Sequence, residues 1–124
     1  MYQKKLKEKI RCPLEYGLHV FGGKWKARII CILAVKKTLR YSEMRKEMGN
    51  ITDAVLAAAL KELMADHMIT RKSYDEIPPK VEYTLTEKGR SVVPILLSIS
   101  QWAGAYQKEG SEDAVVQCQK CDYH

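Results

Sequence analysis

No run of apolar residues in this sequence approaches the roughly 20 needed to cross a bilayer. The opening stretch MYQKKLKEKI carries charge but none of the apolar core of a secretory signal. Low-complexity segments and internal repeats are missing, and so is a glycine loop able to cradle a phosphate. His19 and His67 fall on expected helical segments without a nucleophile or carboxylate partner nearby, which argues against triad-type catalysis. At 124 residues the chain is too short for a large multidomain enzyme. These absences predict a single cytoplasmic domain that is not an enzyme, takes no cofactor and meets no membrane. Cysteine is sparse, at Cys12, Cys31, Cys118 and Cys121. In a reducing compartment these are not a disulfide framework, and each must be argued singly.

What the sequence does have is segregated positive charge. Residues 1–50 hold 13 Lys and Arg against 4 Asp and Glu, whereas residues 51–124 hold 8 against 11. A net charge of +6 therefore conceals a strongly basic first part. Such segregation is the electrostatic footprint of a polyanion partner, nucleic acid being the commonest. Lys4, Lys5, Lys7 and Lys9 alone would equally suit a solubilising arm, so charge by itself does not identify the partner.

The spacing of Leu14, Leu18 and Phe21 predicts a short helix opened by Cys12-Pro13 and closed by Gly22-Gly23. A second helix over 24–35 carries Trp25, Ile29, Ile32 and Leu33 on its apolar face. Leu39-Arg40-Tyr41 has room for a strand stub only. Ser42 reads as an N-cap with Glu43 just inside, and Met44 and Met48 mark the buried side of a brief third helix that Gly49-Asn50 ends. Thr52 caps a fourth helix running to about Asp66, with Leu56, Leu60, Leu63 and Met64 as its buried stripe. These two helices around a glycine-containing turn form a helix-turn-helix pattern. Residues 68–74 and 81–85 read as the strands of a β-hairpin whose tip is stiffened by Pro78-Pro79. Thr86 then caps one long C-terminal helix bearing Val93, Leu96, Leu97, Trp102, Ala103 and Tyr106, kinked at Pro94. The expected architecture is mostly α with a small β-hairpin: a winged helix-turn-helix with added terminal helices for dimerisation. Its expected organisation is a basic arm over 1–11, the domain over 12–108 and a polar tail over 109–124.

Several short motifs in this order resemble the HxlR-type bacterial transcriptional regulators. They are Cys12-Pro13-Leu14-Glu15-Tyr16, Gly22-Gly23-Lys24-Trp25-Lys26, Arg40-Tyr41-Ser42-Glu43-Met44-Arg45, the helix from Ile51 to Leu63, and the run from Pro78 to Arg90. The similarity covers about residues 12–106. It implies a winged-helix repressor or activator that binds double-stranded DNA as a dimer paired through its terminal helices. It also implies a sensor of oxidants or electrophiles at an N-terminal cysteine.

In a winged helix the second helix of the motif enters the major groove. Its candidate readers here are Thr52, Asp53, Ala54, Ala57, Ala58 and Lys61. Alanine can touch a thymine methyl but cannot form the bidentate pairs worth roughly 1–3 kcal/mol of discrimination each. The anionic Asp53 must accept from a cytosine amine or hold a neighbouring cation, since otherwise it would repel phosphate. Affinity is expected to come largely from phosphate contacts by Lys36, Lys37, Arg40, Tyr41, Ser42, Arg45 and Lys46. The wing would add Lys80, with Arg71 and Lys72, at an adjacent minor groove, as the resemblance implies. Val55, Leu56, Leu60, Leu63, Tyr83 and Trp25 are expected in the core. A homodimer is expected through Val93, Leu96, Leu97, Trp102 and Tyr106, with Leu14 and Leu18 from the first helix.

Cys12 combines a helix N-terminus with Lys9 and Arg11 nearby, features that favour a thiolate, and is the candidate redox sensor. Cys31, inside Ile29-Ile30-Cys31-Ile32-Leu33, reads as inert core. Cys118, Cys121 and His124 have metal-like spacing but lack the second pair of a closed zinc site, so no metal is expected. An alternative function is a winged-helix protein-interaction module. DNA binding requires the basic cluster and the motif helix to share one face, whereas an interaction module would expose an apolar patch there. RNA binding would call for exposed stacking aromatics, and most aromatics here have core positions.

Overall fold

The computed structural model describes residues 12–107. The expected arm, the expected tail and the trio Cys118, Cys121 and His124 lie outside the described residues. Helix α1 spans Pro13–Phe21, with Cys12 as its extended N-cap and Pro13 in the first turn, where a missing N–H costs nothing. Gly22 closes it by donating its N–H to the Leu18 carbonyl. Only Val20 of this helix is buried.

Helix α2, Lys26–Lys36, is the central element and packs against α1, both helices of the motif, the C-terminal helix and the sheet. It buries Ile29, Ile30 and Leu33, so its inner face is turned from the expected one: Ile32 and Trp25 only edge the core. A helix surrounded by neighbours has no single apolar stripe to read. Strand β1, Thr38–Arg40, follows at once.

Helices α3, Tyr41–Met48, and α4, Asp53–Ala65, form the helix-turn-helix. The cap of α3 is Arg40 and not Ser42, which lies in the first turn; the Arg40 N–H donates to Glu43 Oε1 at 2.9 Å. Pairing of β1 holds Arg40 extended, and that sets the helix start earlier than the Ser42 signal suggests. Gly49, at φ +76°, makes the turn. Thr52 caps α4 as expected, its Oγ1 accepting from the Val55 N–H at 3.2 Å. Leu56, Ala59, Leu60 and Leu63 are buried, but Val55 is 39% exposed and does not belong to the core.

Strands β2, Ile69–Tyr74, and β3, Lys80–Leu85, form the wing hairpin, and β1 joins the far edge of β3 in a three-stranded antiparallel sheet. Leu39, Tyr83 and Leu85 face the core. The C-terminal helix is not one kinked helix. It is divided at Val92 into α5, Glu87–Ser91, and α6, Val93–Tyr106. Pro94 takes the first turn of α6, where the N–H it lacks has no intrahelical partner to lose, so it starts a helix rather than bending one. Thr86 caps α5, its Oγ1 accepting from the Gly89 N–H at 2.9 Å.

Candidate nucleic-acid interface

The exposed side of α4 carries Asp53, Ala54, Val55, Ala57, Ala58 and Lys61, with Thr52 exposed at its cap. Asp53 resolves into the second of its two expected roles. Its Oδ1 lies 3.1 Å from Arg45 Nε and accepts from the Tyr41 hydroxyl at 3.2 Å. The same hydroxyl reaches the Asp53 carbonyl at 3.3 Å. Tyr41 and Arg45, one turn apart on α3, thus grip the first residue of α4. Burial pushes the Tyr41 phenol above its ordinary value, and the bond to Asp53 pushes in the same direction. The arrangement ties the start of α4 to α3 through side chains that stay partly solvent-exposed. The acid at the helix start is neutralised rather than aimed at a phosphate.

Around this clamp the cations are exposed. Lys36 ends α2 and lies 3.8 Å from Glu47 of α3, a surface pair worth at most about 1 kcal/mol that leaves the ammonium accessible. Lys37, Arg40 and Lys46 are exposed, as is Ser42. Arg40 also connects the motif to the wing, because it stands opposite Glu82 of β3, which in turn stands opposite Lys72 of β2. On the same sheet face Tyr74 takes the ammonium of Lys72 at 5.0 Å and that of Lys80 at 4.8 Å from its ring centre. Lys80 pairs with Glu82 at 3.3 Å. A hydrogen bond from Tyr74 holds the Glu82 carboxyl below the ordinary carboxylate range, and Lys80 adds to the effect. Arg71 projects from the other sheet face, opposite Tyr83, although it too is exposed. Lys72 is therefore the closer companion of Lys80.

Sequence reasoning missed Val55, which it placed in the core, and Tyr74, whose role depends on cross-strand register. At the C-terminus it selected the wrong face in part. Val93 and Leu96 are buried in the subunit's own core and are not available to a second copy. Leu97 is half-buried, and the exposed apolar side chains of α6 are Ile95, Ile99, Trp102 and Tyr106, the last two 69% and 80% exposed. The Trp102 and Tyr106 rings pack on each other with centroids 5.9 Å apart. Leu14 and Leu18 of α1 are exposed as well. Most of the large apolar exposure is thus on the terminal helices, with Val55 on α4 and Ile77 at the wing tip as exceptions.

Cys12 is exposed at the N-cap of α1, and its side chain makes no capping bond. Cys31 is half-buried against the core. Among the described residues no helix is long and apolar enough to cross a membrane.

Comparison with known proteins is specific. Residues 20–111 match the family model described as HxlR-like helix-turn-helix. An HTH-type transcriptional regulator of Halalkalibacterium halodurans is 43% identical over 101 residues, covering 82% of this chain and 89% of its own. The solved structure of the redox regulator HypR in its oxidised form superimposes with a TM-score of 0.73 at 39% identity, over 79% of this chain and all of that one. The reduced form of the transcriptional regulator YodB from B. subtilis gives 0.70 at 31% identity, over 82% and 99%.

Proposed function

This chain belongs to the HxlR-like helix-turn-helix family of transcriptional regulators, and we propose that it binds a pseudo-palindromic operator in double-stranded DNA as a homodimer. The observation that carries this is the neutralised start of α4, held by Arg45 and Tyr41, with exposed cations on α2, α3 and the wing. The motif helix enters the major groove. Lys36, Lys37, Arg40, Ser42, Arg45 and Lys46 contact phosphates while Tyr41, expected among them, holds Asp53 instead, and Lys72 and Lys80 of the wing reach an adjacent groove. Thr52, Ala54, Ala57 and Lys61 meet the groove directly, and Arg71 gives a lateral phosphate contact. Two copies pair through α1 and α6, each covering one half-site. The arm over 1–11 and the tail over 109–124 flank this unit, and the protein works in the cytoplasm.

Signal input is assigned to Cys12. It is exposed, it opens a helix, and a solved relative is a redox regulator. Oxidation or alkylation there alters α1, which belongs to the proposed dimer surface, and so alters operator binding.

Selection of bound sequences from random duplex DNA at fixed salt, with and without diamide, tests the whole reading. An enriched palindrome whose binding responds to diamide is expected. Failure to enrich any duplex favours the protein-interaction module instead. A Cys12→Ser variant that stays as diamide-sensitive as the parent removes Cys12 from the signalling role.

A further inference from the structure

Both carboxylates at the outward side of α4 are occupied. Asp53 is held by Arg45 and Tyr41, and Glu62 by Lys26 at 3.1 Å. What the first two turns then present is apolar: Ala54, Val55, Ala57 and Ala58 are all exposed. Lys61 is the only side chain of α4 that could donate to a base edge, and the cap residue Thr52 keeps its hydroxyl proton while accepting from the Val55 N–H. No arginine, asparagine or glutamine on this helix can form a bidentate pair with guanine or adenine. Small side chains let a helix approach the groove floor closely, and the one apolar group a base pair offers there is the C5-methyl of thymine. Val55 supplies the largest carbon surface on this face, and its exposure has no use inside the subunit. The exposed cations Lys36, Lys37, Arg40 and Lys46 give this apolar face an occupant of complementary charge, the phosphate backbone of a duplex.

We infer that the α4 face formed by Ala54, Val55, Ala57 and Ala58 reads duplex DNA through thymine methyl groups, so the half-site carries thymines beneath these residues. The inference rests on the DNA-binding reading above and specifies what that same site recognises.

The test uses the full wild-type chain and the duplexes it selects from random DNA, resynthesised with deoxyuridine in place of thymidine one position at a time. Each replacement removes one methyl and leaves base pairing intact. Two or more positions per half-site should lose about fourfold in affinity each, the worth of one buried methyl group. A Val55→Ala variant should become nearly indifferent to one of those methyls and keep its sensitivity to the rest. Selected duplexes that bind equally well with every thymine replaced overturn the inference while leaving DNA binding intact. A Val55→Ala profile identical to that of wild type overturns the part given to Val55. If no duplex is selected at all, the DNA-binding reading fails and this inference falls with it.

Discussion

Asp53 occupies a position where an unpaired acid would repel phosphate, and its value lies in what it holds. Arg45 and Tyr41 both converge on one carboxylate oxygen. Replacing Arg45 by Ala removes a cation and also releases the acid, so it should weaken operator binding more than Arg40→Ala does. Each replacement should lower the slope of log affinity against log salt by about 0.9 for every phosphate no longer neutralised. In the double variant Arg45→Ala/Asp53→Ala part of the affinity should be recovered, and anisotropy titrations across a salt series read both effects. Glu82 makes a second residue-scale prediction. Its folded carboxyl titrates below the ordinary range because Tyr74 and Lys80 favour the charged form. A depressed value means that this contribution is present above the ordinary carboxylate range and is lost as pH falls through the folded value. Carbon NMR of the Glu82 carboxyl should show the low midpoint, and Tyr74→Phe should raise it, because the hydroxyl is the largest cause.

At the scale of elements, the break between α5 and α6 fixes where the C-terminal helix leaves the core. Helix α5 is pinned to the turn between α4 and β2 by Thr86, whose Oγ1 donates toward the His67 carbonyl at 2.6 Å while its N–H donates to the Met68 carbonyl at 3.0 Å. Gly89 is the close approach that permits this: a Cβ there would stand 2.1 Å from the Met68 carbonyl oxygen. Main chain cannot swing aside as a side-chain tip can, so Gly89→Ala should destabilise the fold by roughly 1–3 kcal/mol in chemical denaturation, the usual range for overpacking. Thr86→Ala should cost about 1 kcal/mol through removal of the cap. The helix-turn-helix and the hairpin were legible in the sequence because Thr52, Gly49 and Pro78-Pro79 are local signals read over a few residues. The start of α3 was not, because it depends on β1 pairing with β3, across more than forty residues of chain.

At the scale of the described residues as a whole, most large exposed apolar side chains lie on α1 and α6, apart from Val55 on α4 and Ile77 at the wing tip. Ile95, Ile99, Trp102 and Tyr106 are exposed on α6, whereas Val93 and Leu96 of the same helix are buried in the subunit. Ile99→Glu together with Trp102→Glu should therefore yield a folded monomer in sedimentation velocity at micromolar concentration. Leu96→Ala should instead lose about 2–5 kcal/mol of stability, the range for truncating a core leucine. A wild-type protein that already sediments as a monomer removes the dimer. The order of elements up to Thr86, the winged-helix class and the family could be read from the chain alone, because periodicity, caps and short motifs are written in neighbouring residues. Which side of each apolar helix is spent inside the subunit, which carboxylates are neutralised and that Val55 faces outward emerged only in three dimensions. Those outcomes depend on which elements pack against each other, and helical periodicity alone does not specify a helix's neighbours.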